Sequence, residues 1–96
     1  MYSIKISVLL KGQSDFVTYE IPLNEKCVTR EDAEKNAEIT AEYFMKDTGF
    51  LMLEDIDKKL ICFKINNIII SKLWCCETVN KGGLKIWNLK NLVLTV

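Results

Sequence analysis

Apolar and polar side chains alternate along most of this chain, and only one segment follows a longer period. Apolar residues occupy every second position from Tyr2 to Leu10, and the run Phe16–Leu23 alternates again, with Val17, Tyr19, Ile21 and Leu23 on one face. This period of two is typical of a strand that buries one face. A polar turn, Lys11–Asp15, separates the two runs, so we predict that they pair as a β-hairpin.

The exception is a segment with helical spacing. Its apolar residues form one stripe: Ala33, Ala37, Ala41 and Phe44. Thr29 is suited to be the N-cap and Asp32 to be the acid of a capping box, while Gly49 is suited to follow the last turn. We predict a helix from Arg30 to about Asp47, whose small alanines would let it pack closely against a sheet.

The second half of the chain consists of short apolar or alternating runs. We predict five further strands: Phe50–Leu53, Leu60–Ile65, Ile68–Cys76, Leu84–Trp87 and Leu92–Val96. Asn66 and Asn67 would form a two-residue turn that sets Ile65 opposite Ile68. Asn80–Gly83 is a further predicted turn. The order ββαβββββ predicts an α+β fold, an antiparallel twisted sheet or partial barrel with one helix packed on one face.

Length and charge restrict the class of function. Residues 1–96 are enough for a single domain. Thirteen basic residues balance thirteen acidic ones. Because nucleic-acid binding normally requires a basic surplus, we do not expect DNA or RNA as a partner. No apolar run approaches the ~20 residues of a membrane span and no signal peptide is recognisable, so we expect a cytoplasmic protein that does not bind membranes.

The apolar content predicts self-association. Apolar residues make up 49% of the chain, which is high for a domain too small to bury all of them. Exposed apolar area often marks a partner surface, and most soluble oligomers are symmetric homo-oligomers. We therefore expect a homo-oligomer.

Four cysteines raise the question of disulfides and metal sites. They are Cys27, Cys62, Cys75 and Cys76. Without a secretion signal, reduced thiols packed as small apolar side chains are the expectation.

Structural zinc sites need paired cysteines two to four residues apart or histidines, and the chain has neither. Asp55 and Asp57 lack the remaining ligands of a calcium loop. We predict no metal and no cofactor.

Catalysis is not expected either. The chain contains no histidine, so the commonest general base and the Ser–His and Cys–His nucleophile pairs are missing. It contains no glycine-rich phosphate loop and no G-x-S-x-G sequence. We therefore predict that the protein is not an enzyme.

Two sets of residues are candidates for binding a partner. Glu34, Glu38 and Glu42 lie one helical turn apart and would form an acidic row, although such a row is most often a solvated face. Trp74 and Trp87 lie on C-terminal strands. Tryptophan is enriched in interface hot spots, and in a small domain it is also a common core residue.

These features favour a small non-enzymatic protein-binding module that antagonises or regulates a partner protein. In size and neutral charge the chain resembles the immunity and anti-defence proteins of bacteria and phages. One alternative is a homo-oligomer that binds a nucleotide or metabolite in clefts between subunits, because residues 50–73 resemble the second half of small Sm-like or SH3-like barrels. Another is a structural protein of a phage particle.

Overall fold

The structure is a computed structural model that describes residues 1–46, 49–79 and 82–93. Within those residues it consists of six strands and one α-helix: β1 (Tyr2–Leu10), β2 (Val17–Pro22), α1 (Arg30–Met45), β3 (Phe50–Glu54), β4 (Leu60–Lys64), β5 (Ile68–Val79) and β6 (Gly83–Val93). The predicted α+β class with antiparallel strands is confirmed. The described strands do not close into a barrel, and they form two separate sheets.

The larger sheet has four strands in the order β2-β1-β5-β6, and every pairing in it is antiparallel. The predicted pairing of the first two runs is confirmed, with Val8 opposite Val17. Side chains that alternate along β1 and β5 make one face almost fully buried: Ile4, Ile6, Val8, Leu73 and Cys75 are each at most 2% exposed. We call this the core face.

The helix packs on the core face, across β1, β5 and β6. Thr29 is the N-cap, and it forms with Asp32 the predicted capping box, in which each side chain accepts a hydrogen bond from the other's backbone amide. Ala33, Ala37 and Phe44 are fully buried, so the predicted stripe faces the sheet. The helix ends at Met45, and Asp47, where we expected its end, lies outside the described residues.

The hairpin of β3 and β4 covers the remaining part of the core face. The Tyr19 ring on β2 packs edge-on against the Phe63 ring on β4, with centroids 5.5 Å apart. The backbone amide of Ile56 in the hairpin loop donates to the carbonyl of Glu20 at 2.9 Å. One core therefore joins the larger sheet, the helix and the hairpin.

The strand pairing that we predicted across the Asn66–Asn67 turn is wrong. We expected it to pair β4 with β5, but β4 pairs with β3, and β5 lies between β1 and β6. Ile65–Asn67 forms a 3₁₀ turn. The amide of Lys11 donates to the Asn67 carbonyl at 2.8 Å. This bond fixes the turn to the end of β1, so the chain leaves the hairpin and enters the larger sheet.

The last two predicted strands fall within one continuous strand. A β-bulge interrupts the pairing of β6 with β5, because Trp74 alone lies opposite both Asn88 and Leu89. Asn88 adopts a left-handed backbone conformation with φ of 60°, which asparagine tolerates better than most residues. The predicted segment Leu92–Val96 begins in this strand, and its residues 94–96 lie outside the described residues, as do residues 80 and 81 of the predicted turn.

Candidate functional site

The face of the larger sheet opposite the core is the main candidate surface, and we call it the open face. Its two halves differ in chemistry. Over β1 and β2 it is polar, because Ser3 donates a hydrogen bond to Glu20 at 3.1 Å and Ser7 pairs with Thr18. Over β5 and β6 it is apolar, and Ile86 is 55% exposed there. The open face thus places an apolar area beside a satisfied polar one.

Trp74 lies at the centre of the apolar half. Together with Lys72, Ile86 and Leu89 it lines a shallow depression of about 290 Å³. Leu89 is 60% exposed, and Trp74 is half-buried. Ile86 and Leu89 are three positions apart, so strict alternation would send them to opposite faces. The bulge at Asn88 brings them to the same face.

Lys72 supplies the positive charge of this area. Its ammonium nitrogen lies 4.8 Å from the centroid of the exposed Phe16 ring, within the range of a cation–π contact. Next to it, the indole nitrogen Nε1 of Trp74 is enclosed and has no hydrogen-bond partner among the described residues. The lining of the depression is therefore apolar apart from Lys72, and it contains no carboxylate.

Trp87, the second tryptophan that the sequence singled out, faces the other way. On the core face its indole nitrogen donates to Oε1 of Glu34 at 2.8 Å. Its ring packs edge-on against the Tyr2 ring, with centroids 6.1 Å apart, and the Arg30 guanidinium lies 4.8 Å above it. Arg30 also forms an ion pair with Glu77 at 3.7 Å. Trp87 joins the helix to β6, and it does not share a surface with Trp74.

The three glutamates of the predicted acidic row therefore differ in their exposure. Glu34 is half-buried and bonded to Trp87, so our expectation that all three glutamates are solvent-exposed is wrong for this residue. Glu34 lies where the helix passes Trp87 of β6, and its hydrogen bond to the indole nitrogen holds its carboxylate toward the sheet. Glu38 and Glu42 are exposed as predicted.

The four cysteines are free. Cys75 and Cys76 are fully buried on opposite faces of β5, and burial raises the pKa of both thiols. Cys62 is different, because it is exposed on the outer face of the hairpin. The expectation that it packs as a buried thiol is therefore wrong. Its strand alternates, and Cys62 lies between the inward-facing Ile61 and Phe63.

The described ranges 1–46, 49–79 and 82–93 contain no group of three or more metal-ligating side chains placed to hold an ion. They also contain no helix of sufficient length and hydrophobicity to cross a membrane.

Comparisons with known proteins give no relative. No protein-family model matches the chain, and neither a search of curated proteins nor a search of solved structures finds a similar one.

Proposed function

We propose that this chain is a non-enzymatic protein-binding module and that its partner binds on the apolar half of the open face. The observation that carries the proposal is the exposure of Ile86 and Leu89 beside the half-buried Trp74. A tryptophan surrounded by exposed aliphatic side chains is typical of an interface hot spot. Exposed apolar patches of a few hundred Å² often mark such surfaces.

The charges of the site indicate the chemistry of the partner. Lys72 is the one charged residue that lines the depression. A partner segment with apolar side chains would cover Ile86 and Leu89, and an Asp or Glu within it would pair with the Lys72 ammonium. We therefore expect an apolar segment with a carboxylate. Binding of this kind fits a protein that antagonises or regulates its partner.

The shape of the site supports a protein over a nucleotide or metabolite. Small-molecule sites are usually concave and bury most of their ligand, whereas this depression is shallow. A phosphate group would also need several donors or the N-terminus of a helix, and the lining offers Lys72 alone as a charged donor.

Selection from a displayed library of random twelve-residue peptides would test the proposal without knowledge of the partner. The immobilised protein is the bait, and enriched peptides are synthesised with a fluorescent label for anisotropy titration in solution. We expect enriched peptides to combine apolar residues with Asp or Glu. We expect Ile86→Asp to weaken their binding at least tenfold, because it removes an apolar contact and places a carboxylate beside the one that the peptide would bring to Lys72.

A matched control is available on the helix. Ile39 is 52% exposed, against 55% for Ile86, so Ile39→Asp makes the same chemical change outside the open face and should leave binding unchanged. Equal affinity of the two variants would contradict the proposal. Loss of binding in the double variant Glu38→Lys/Glu42→Lys, with Ile86→Asp unaffected, would place the site on the helix instead.

A further inference from the structure

The hairpin of β3 and β4 carries a second exposed apolar surface, separate from the open face. Its register sets three pairs of residues on the outward side: Phe50 with Lys64, Met52 with Cys62, and Glu54 with Leu60. The large apolar members are mostly exposed, Phe50 at 65%, Met52 at 59% and Leu60 at 67%. The inward side holds Leu51, Ile61 and Phe63 in the core. We call the outward side the hairpin face.

The charges of the hairpin face are placed at its two ends. Lys64 lies at the end that begins with Phe50, and Glu54 lies at the other end beside Leu60. The two ends are four residues apart along the strands, which corresponds to about 14 Å. Lys64 and Glu54 are thus too distant to pair within one chain. One end combines an apolar side chain with a positive charge, and the other combines an apolar side chain with a negative charge.

We propose that the hairpin face binds the hairpin face of a second copy of this chain. A two-fold axis that passes between the Met52–Cys62 pairs and runs across the strands places the Phe50 end of each hairpin over the Leu60 end of the other. Such an axis sets β3 over β3 and β4 over β4 of the two copies, so Phe50 lies over Glu54 of the partner copy and Lys64 lies over its Leu60. Phe50 is then diagonal to that Leu60, and Lys64 is diagonal to that Glu54, within reach of its carboxylate. This arrangement is isologous, as most dimers of identical subunits are.

The charges favour a second copy as the occupant, and the small size of the surface predicts a weak dimer. The surface is self-complementary, since Lys64 and Glu54 lie at opposite ends, and the two-fold axis sets each of them diagonally across from the other in the second copy. The formal net charge of the chain is zero, so two copies do not repel each other at long range. The hairpin face has six outward side chains, which is fewer than the roughly 20–30 residues per partner of a standard interface. We therefore expect a dimer that dissociates on dilution.

Charge reversal would test the pairing across the axis. Sedimentation velocity over a range of protein concentrations measures the dimer dissociation constant. Glu54→Lys alone and Lys64→Glu alone should each weaken the dimer about fivefold or more, because each brings like charges close together across the interface. The double variant Glu54→Lys/Lys64→Glu exchanges the charges in both copies, and it should restore the dissociation constant to within about threefold of the wild type.

Cys62 provides an independent measure of the same geometry. It lies in the middle pair, so the axis places it opposite Cys62 of the second copy at about the 10 Å spacing of packed sheets. A short bis-maleimide should link two chains in the wild type and should not do so in Cys62→Ser. Cys27→Ser is the control, and it should still be linked, because Cys27 is half-buried elsewhere.

Three outcomes would overturn the proposal. The first is a monomer at all concentrations with no bis-maleimide product. The second is a dimer that the double charge reversal fails to restore. The third is a dimer that Ile86→Asp abolishes and Leu60→Asp leaves intact, because the open face would then be the contact between copies.

Discussion

The indole nitrogen of Trp87 donates to the Glu34 carboxylate across 53 positions of sequence, at 2.8 Å. Glu34 belongs to the helix and Trp87 to β6, which is an edge strand of the larger sheet. Both side chains are half-buried. A hydrogen bond to a charged group is stronger than one between neutral groups, so this pair is a specific connection between the helix and that edge.

Trp87→Phe should therefore destabilise the protein. Phenylalanine keeps an aromatic ring next to Tyr2 and removes the N–H that Glu34 accepts. The half-buried carboxylate then lacks this donor, and we expect the free energy of unfolding to fall by about 1–3 kcal/mol. Chemical denaturation at neutral pH measures the change. A loss below about 0.5 kcal/mol would mean that water replaces the indole nitrogen without cost.

The same substitution at Trp74, Trp74→Phe, should change the free energy of unfolding only slightly. The Trp74 indole nitrogen is enclosed without a partner among the described residues, and burying an unpaired donor costs about 1–3 kcal/mol. Its removal offsets the loss of ring area, so we expect a change of less than about 1 kcal/mol. The same denaturation experiment compares the two variants, and a larger loss at Trp74 than at Trp87 would contradict both predictions.

Phe44→Ala should be the most damaging helix substitution. Phe44 is fully buried, and it is the largest member of the stripe that faces the sheet. Truncation to alanine should leave a cavity and lower the free energy of unfolding by about 3–5 kcal/mol. Tyr43→Ala is the control, because Tyr43 is 48% exposed. A loss below about 1 kcal/mol at Phe44 would mean that another face of the helix packs against the sheet.

The capping box should make part of the stability depend on pH. Hydrogen bonds from the Val28 backbone and from Thr29 to the carboxylate lower the pKa of Asp32 in the folded state. A lowered folded-state pKa means that the contribution is present above the unfolded value of about 4 and is lost as the pH falls through the folded value. Asp32→Asn keeps an acceptor and removes the charge. The wild type should be the more stable at pH 7, and the difference should shrink on acidification; a difference that stays constant would contradict the assignment.

Reducing agent should leave the melting temperature within about 2 °C, because loss of a disulfide would shift it much further. All four cysteines are free. Differential scanning calorimetry with and without dithiothreitol measures this. A large drop on reduction would mean that a disulfide forms in solution.

Local signals in the sequence predicted the local structure correctly. The capping box depends on residues three positions apart, and the pairing of β1 with β2 depends on a short turn. The partner of β5 could not be predicted in this way. The Asn66–Asn67 sequence is compatible with a hairpin and also with the 3₁₀ turn that the structure contains, and only contacts with the distant β1 decide between them.

The candidate site was predicted only in part, for a similar reason. Trp74 and Trp87 both lie on apolar strands, and the sequence does not state which face each occupies. Their faces follow from the register of β5 with β6, which sets Cys75 opposite Trp87 and so sends Trp87 to the core face. The bulge opposite Trp74 shifts the alternation of β6 by one residue after Trp87, and this shift concealed the shared face of Ile86 and Leu89. The hairpin face was missed because its register follows from pairing with β3.

The position of β1 between β2 and β5 has a consequence for how the chain folds during synthesis. β1 can pair with β2 early, but 57 residues, from 11 to 67, separate it from β5. Until β5 is made, the second edge of β1 remains unpaired, and an unpaired edge of this kind can capture another chain. A sheet closed by such a long-range pairing forms slowly compared with a helical protein of the same size. Nascent chains of this protein should therefore depend on β5 to become resistant to aggregation, even though most of the core residues precede it.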